Sequence, residues 1–198
     1  MSNGIDIQIV KENYQKLSEA ELTRMAANDA VGLTQEAQQV LVEEIKRRNL
    51  DPNIINAVHA QNAAYTIEEV DKYCEILRNL SCPGCGTSSL KLNGTMTSEV
   101  MSFILFTNRV KKIKIGCPNC LDKANDNAIT KSTIAGWWGI PWGPVRTIQA
   151  IILNHKNKKT NHLEIPNDYL RSFALSRVGL IEAHKNDEEK LRQIIFSQ

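Results

Sequence analysis

A chain of 198 residues with 42% hydrophobic and 23% charged side chains has the make-up of a folded globular protein, one ordinary domain or two small ones, which excludes a disordered or collagenous polymer. Its net charge of +2 is segregated: residues 1–80 balance to −5, residues 81–163 to +8 and residues 164–198 to −1. A basic centre between acidic flanks finds its counter-charge in nucleic acid, in anionic lipid or in the chain's own acidic segments. Five cysteines, four of them in close pairs, do not have the look of a secreted disulfide framework. Met1 to Val10 shows no basic stretch followed by a long apolar run, so no signal peptide is expected. Both points favour a reducing, cytoplasmic setting in which thiols remain free to bind metal.

The first eighty residues read as helices. Ser18 and Glu21 fit a capping box, as do Thr66 and Glu69, each pair able to satisfy free amides at a helix start. Asp51-Pro52 supplies an N-cap followed by proline at the first helical position. Between Thr34 and Asn49, Ala37, Val40, Leu41 and Ile45 follow helical spacing, with Glu44 interrupting the apolar stripe. Ile67, Val70, Cys74 and Leu77 form another stripe. Three or four short helices packed as a small bundle are expected over 1–80, with Cys74 as a small buried hydrophobe.

From Ser89 to Ile115 the period changes. Val110, Ile113 and Ile115 alternate with Lys112 and Lys114, the pattern of a strand with one buried face. Val100 to Phe106 is almost continuously apolar, which predicts a central strand covered on both sides. Thr107-Asn108 is the expected turn, and Leu90 and Leu92 begin an expected third strand before Gly94. Leu121 to Ala135 reads as a helix. Gly136 to Pro144 then holds all three tryptophans, with a density of glycine and proline that no helix continues through. Helical spacing resumes at Val145, Ile148, Ile151 and Ile152, whereas the polar, basic stretch Asn154 to His162 reads as a solvated loop. From Pro166 the chain reads as helix to its end.

The chemistry lies in two Cys-Pro-x-Cys knuckles, Cys82-Pro83-Gly84-Cys85 and Cys117-Pro118-Asn119-Cys120, separated by 31 residues of hairpin character. Two pairs of thiolates, each delivered from one tight turn, can surround a single tetrahedral ion. Structural Zn2+ is the expected ion, and four sulfurs leave it no open position for a catalytic water. Iron is the weaker competitor: Cys82 to Gly86 resembles one knuckle of rubredoxin, but Leu121 stands where that family has glycine.

Residues 82–120 resemble a zinc-ribbon module, a class whose members bind nucleic acid, proteins or nothing beyond their own domain. Residues 82–160 also resemble bacterial proteins without established activity, in which such a ribbon precedes a Gly-Trp-Trp-Gly-x-Pro-Trp-Gly segment, here Gly136 to Gly143. The resemblance implies an α+β fold with a three-stranded antiparallel ribbon. The expected layout is a helical bundle (1–80), zinc ribbon (81–122), Trp-rich helical hairpin (123–163) and C-terminal helix (164–198).

Two surfaces invite partners. Trp137, Trp138, Trp142 and Arg146 make a candidate contact for a protein or for an anionic membrane, where tryptophan favours the headgroup level. Lys131, Lys156, Lys158 and Lys159 would add to such attraction. A spanning helix is not expected, since about 20 unbroken apolar residues are required. Arg109, Lys111, Lys112 and Lys114 make a candidate anion-binding strip for nucleic acid, on a strand where exposed lysines also serve solubility. His59, His155, His162 and His184 stand without a neighbouring acid or nucleophile at suggestive spacing. No phosphate-cradling loop or small-molecule site is evident. The expectation is a non-enzymatic protein that presents an interaction surface, peripheral membrane attachment being one form of it and nucleic-acid regulation the alternative.

Overall fold

The computed structural model describes residues 6–104 and 106–196. Among the described residues, ten helices and one hairpin follow each other, and the chain divides into two compact units, Met1–Ile67 with Arg177–Leu191 and Glu68–Ser176 with Arg192–Gln198.

The first unit is helical. It contains α1 (Ile7–Lys16), α2 (Glu19–Asn28), α3 (Gln35–Arg47) and α4 (Pro52–Gln61). Helix α2 starts where Ser18 accepts the Glu21 amide and Glu21 returns a bond to the Ser18 amide. Helix α4 starts at Pro52, with Asp51 accepting from the Asn53 amide. Tyr14, Leu22, Leu41, Ile45, Ile54 and Val58 form the core. Glu44, which breaks the apolar stripe of α3, is 5% exposed and is held by Arg47 and Arg48. Arg48 in turn donates to the carbonyls of Leu17, Tyr14 and Gln15. One buried ion pair thereby caps the C-terminal end of α1, whose last carbonyls have no helical partner.

The second unit is built around the hairpin. After α5 (Ile67–Arg78) come β1 (Asn93–Phe103) and β2 (Phe106–Gly116), then α6 (Pro118–Ala135), α7 (Trp142–Asn161) and α8 (Asp168–Ser176). The strands pair antiparallel from Asn93↔Gly116 to Phe103↔Phe106. Helices α6 and α7 pack on β1 and on each other. Of the helices that follow, α9 (Val178–His184) belongs to the first unit and α10 (Glu188–Phe196) is divided between the two at Leu191, so the single C-terminal helix expected from Pro166 is three helices. Ser197 and Gln198 lie outside the described residues, as do residues 1–5, half of the segment Met1 to Val10 that bears on a signal peptide.

The expected three-stranded ribbon is corrected. Among the described residues the sheet has two strands, and Leu90 and Leu92 precede β1 without pairing as a strand. Side chains take the place of a third strand. Asn154 accepts from the Ser98 amide and donates to the Ser98 carbonyl, as a neighbouring strand would. Asn157 donates to the Met96 carbonyl, Asn167 to the Gly94 carbonyl, and Ser132 accepts from the Val100 amide. Buried backbone groups must find partners, and here amide side chains supply them along the outer edge of β1. That is why Asn154 to His162 is not a solvated loop: α7 continues to Asn161, with Asn154, Asn157 and Asn161 buried.

The turn of the hairpin also differs from expectation. It falls between Phe103 and Phe106, and Thr107 and Asn108 belong to β2. Val100 is buried, but Met101, Phe103, Ile104 and Phe106 are exposed, so the apolar run does not form a covered central strand. Leu105, within that run, lies outside the described residues.

Candidate functional site

The first knuckle sits in the loop between α5 and β1. Proline follows Cys82, and the Gly86 amide closes the turn onto the Cys82 carbonyl at 2.8 Å. Gly86 has φ +74°, a left-handed conformation that glycine adopts without steric cost. The second knuckle is made differently. Cys117 is the N-cap residue of α6, Pro118 occupies its first turn, and Cys120 lies one turn inside. Pairing of Asn93 with Gly116 closes the base of the hairpin and brings the two knuckles together.

The Sγ atoms of Cys82, Cys85, Cys117 and Cys120 all lie within 4.8 Å of one another, with Cys85 and Cys117 at 3.7 Å. Four sulfurs bound tetrahedrally at about 2.3 Å from zinc would be separated by about 3.8 Å. The donor set and spacing therefore fit a single metal ion, and zinc is compatible with them. Cys82 and Cys117 are buried, Cys120 is half-buried and Cys85 is exposed.

The electrostatics prepare the site for a cation. Burial pushes the Cys82 thiol up, but donation from the amides of Cys117, Gly84 and Cys85 outweighs it and brings the thiol to about 7. The Cys117 and Gly84 amides stand 3.3 and 3.4 Å from its sulfur. Burial holds Cys117 and Cys120 above the ordinary thiol range, and the neighbouring thiols reinforce this at Cys120. Four sulfurs this close cannot all ionise unaided, and a divalent cation removes the conflict. The N-terminal end of α6 points its partial positive charge at Cys117 and Cys120. Leu121, the residue that departs from the rubredoxin pattern, is buried within α6, because the second knuckle continues as helix and does not turn.

Cys74 takes no part. It is fully buried in α5, and burial raises its thiol to about 12. The candidate anion-binding strip is divided by the structure. Arg109 donates to Ser98 and Gln149, so its guanidinium is already engaged. Lys111, Lys112 and Lys114 are exposed on β2. Lys112 and Lys114 line a groove of about 270 Å³ that also includes Pro83, Gly84 and Cys120.

The tryptophans lie at the other end of the hairpin. Gly136 to Pro141 connects α6 to α7 and touches the hairpin turn. Ser102 donates to the Gly136 carbonyl at 2.7 Å, and Arg146 donates to the Thr107 carbonyl at 3.1 Å. Two apolar segments thereby meet in one tip: Ile104 is 82%, Trp138 69% and Ile140 87% exposed, with Phe106 and Trp142 also exposed. Trp137 is only at the margin of exposure. Lys131 is bound to Glu99 beside this tip, whereas Lys158 pairs with Asp126 nearer the metal end of α6. Of the lysines expected to flank the tryptophans, only Lys131 is placed near them; Lys156, Lys158 and Lys159 lie in the last turns of α7.

Two groups escape a reading of the sequence. One is Phe103, Ile104 and Phe106, whose apolar run resembles a buried strand. The other is the asparagine face of α7, for which a signal exists: Thr147, Ala150, Asn154, Asn157 and Asn161 recur at helical spacing. No helix among the described residues is long and apolar enough to cross a membrane.

Compared with protein-family models, with curated proteins and with solved structures, the chain matches none of them.

Proposed function

We propose that this protein is a non-enzymatic, zinc-held module whose working surface is the aromatic tip. The observation that carries the reading is the placement of two uncharged segments, 100–108 and 132–145, at one end of a rigid hairpin with their largest side chains facing outward. Exposed apolar clusters of this kind mark interaction sites. Zn2+ held by Cys82, Cys85, Cys117 and Cys120 would fix the base of the hairpin, and the asparagine ladder would hold its length. The metal then acts on the surface only through rigidity: four sulfur ligands complete a tetrahedral shell and leave no position for substrate.

The test is a photo-crosslinking residue placed at Ile140 in cells, with the same residue at exposed Lys156 as control. Abundant adducts at 140, of protein or lipid, and few at 156 are expected. Equal yields at the two positions would overturn the reading.

A further inference from the structure

The tip has a second property besides exposure: the polar groups where α6 ends, the indoles of Trp137 and Trp138 included, are satisfied from within. The indole N–H of Trp137 donates to the Thr133 carbonyl at 2.7 Å and that of Trp138 to the Ile134 carbonyl at 3.3 Å. The Gly136 amide takes the Ser132 carbonyl at 2.8 Å, and Ser102 takes the Gly136 carbonyl. These carbonyls belong to the last turn of α6, where a helix in water ordinarily leaves its acceptors to solvent. A protein partner or a second copy could supply polar complements to such groups; hydrocarbon cannot, so anything placed in it must be satisfied internally. The carbonyls of Ser132, Thr133 and Ile134 in that last turn thus have partners within the chain, as an apolar medium favours.

Charge agrees with this. Within 132–145 and 100–108 there is no Asp, Glu, Lys or Arg, and the first charged residues behind the tip are Lys131, Arg146, Arg109 and the lone acid Glu99. The collar is net basic behind an uncharged cap, which suits an anionic headgroup layer above acyl chains.

We infer that the tip inserts into the headgroup–acyl boundary of an anionic phospholipid bilayer, with Ile104, Trp138, Ile140 and Trp142 entering and the basic collar remaining among the headgroups. The inference rests on the tip being the working surface, and it names the partner. Attachment is shallow and from one side. The metal lies an estimated 35 Å or so back along the 11-residue strands, well clear of the interface.

The experiment uses zinc-loaded full-length protein and vesicles of phosphatidylcholine with or without phosphatidylglycerol. Expected are co-sedimentation that increases with phosphatidylglycerol, a blue shift of tryptophan emission, and quenching by lipids brominated near the top of the acyl chain. The exposed positions Ile104 and Ile140 make I104D/I140D a variant that keeps metal content and melting behaviour; it should bind at least about tenfold more weakly. Failure of the metal-loaded protein to bind any vesicle would overturn the inference. So would self-association of the wild type that I104D/I140D abolishes, which would assign the tip to a second copy. Either failure, with tip-specific protein adducts persisting in cells, would leave the interaction reading standing and remove only the lipid.

Discussion

Cys85 and Cys74 separate two fates of the same side chain. Cys85 is exposed yet stands 3.7 Å from Cys117 within the sulfur cluster, whereas Cys74 is fully buried in α5. Cys85→Ser should lose most of the bound metal, and the chain should become protease-sensitive within 82–120. Cys74→Ser should keep one metal per chain and lose about 1–3 kcal/mol from a buried hydroxyl. Metal analysis and denaturant unfolding of the two variants check both outcomes. A second residue-scale consequence belongs to Glu44. The Arg47 guanidinium, opposed by burial and aided by Arg48, holds the Glu44 carboxyl at about 2, below the ordinary value of about 4.3. A depressed carboxyl stabilises the fold fully above the unfolded value and less as pH falls toward the folded one. Between about pH 5 and pH 2 the α3 amides should therefore lose roughly 2–3 kcal/mol of protection. In Glu44→Gln the α3 amides should show no such pH-dependent loss and should already be less protected than in the wild type at neutral pH, which hydrogen exchange reads directly.

At the scale of elements, the asparagine ladder explains how a two-stranded hairpin stays ordered over eleven residue pairs. A hairpin alone is marginal in water; here side chains from α6, α7 and the loop before α8 bond the outer edge of β1 at Gly94, Met96, Ser98 and Val100. Asn154→Ala would strand the Ser98 amide and carbonyl in the interior. Each orphaned group costs about 1–3 kcal/mol, so a loss of about 2–5 kcal/mol is expected. Lys156→Ala, two residues along the same helix but exposed, should change stability by no more than about 0.5 kcal/mol. Denaturant unfolding followed by tryptophan emission reads both, because all three tryptophans lie in this unit. These elements also show what can be read from residues alone. The knuckles are legible because metal ligation demands a fixed spacing, and the caps at Ser18 and Asp51 because they act locally. The third strand is misread because Leu90 and Leu92 carry an apolar pattern without saying what covers it. The asparagines are missed because polar side chains usually face water. Here they face a strand edge that becomes visible only when α7 is laid on β1. The run from Val100 to Phe106 fails for the converse reason: apolar character alone does not distinguish a buried strand from an exposed one.

At the scale of the whole molecule, one end of the hairpin is set by the sulfur cluster and the other carries the apolar tip. Removal of a structural metal is costly, because its binding free energy of about 10–16 kcal/mol in small peptides is folding free energy. A strong chelator should raise hydrogen exchange first at the knuckles and the start of α6, and leave the α2–α4 amides protected. Uniform loss of protection throughout the chain would contradict a locally acting metal. The most direct test of the account is X-ray absorption on protein purified without added metal or chelator. One zinc per chain is expected, with four sulfur neighbours at about 2.3 Å and no oxygen or nitrogen in the shell. A chain that folds stably without metal, or an ion with fewer than four sulfurs, would contradict it.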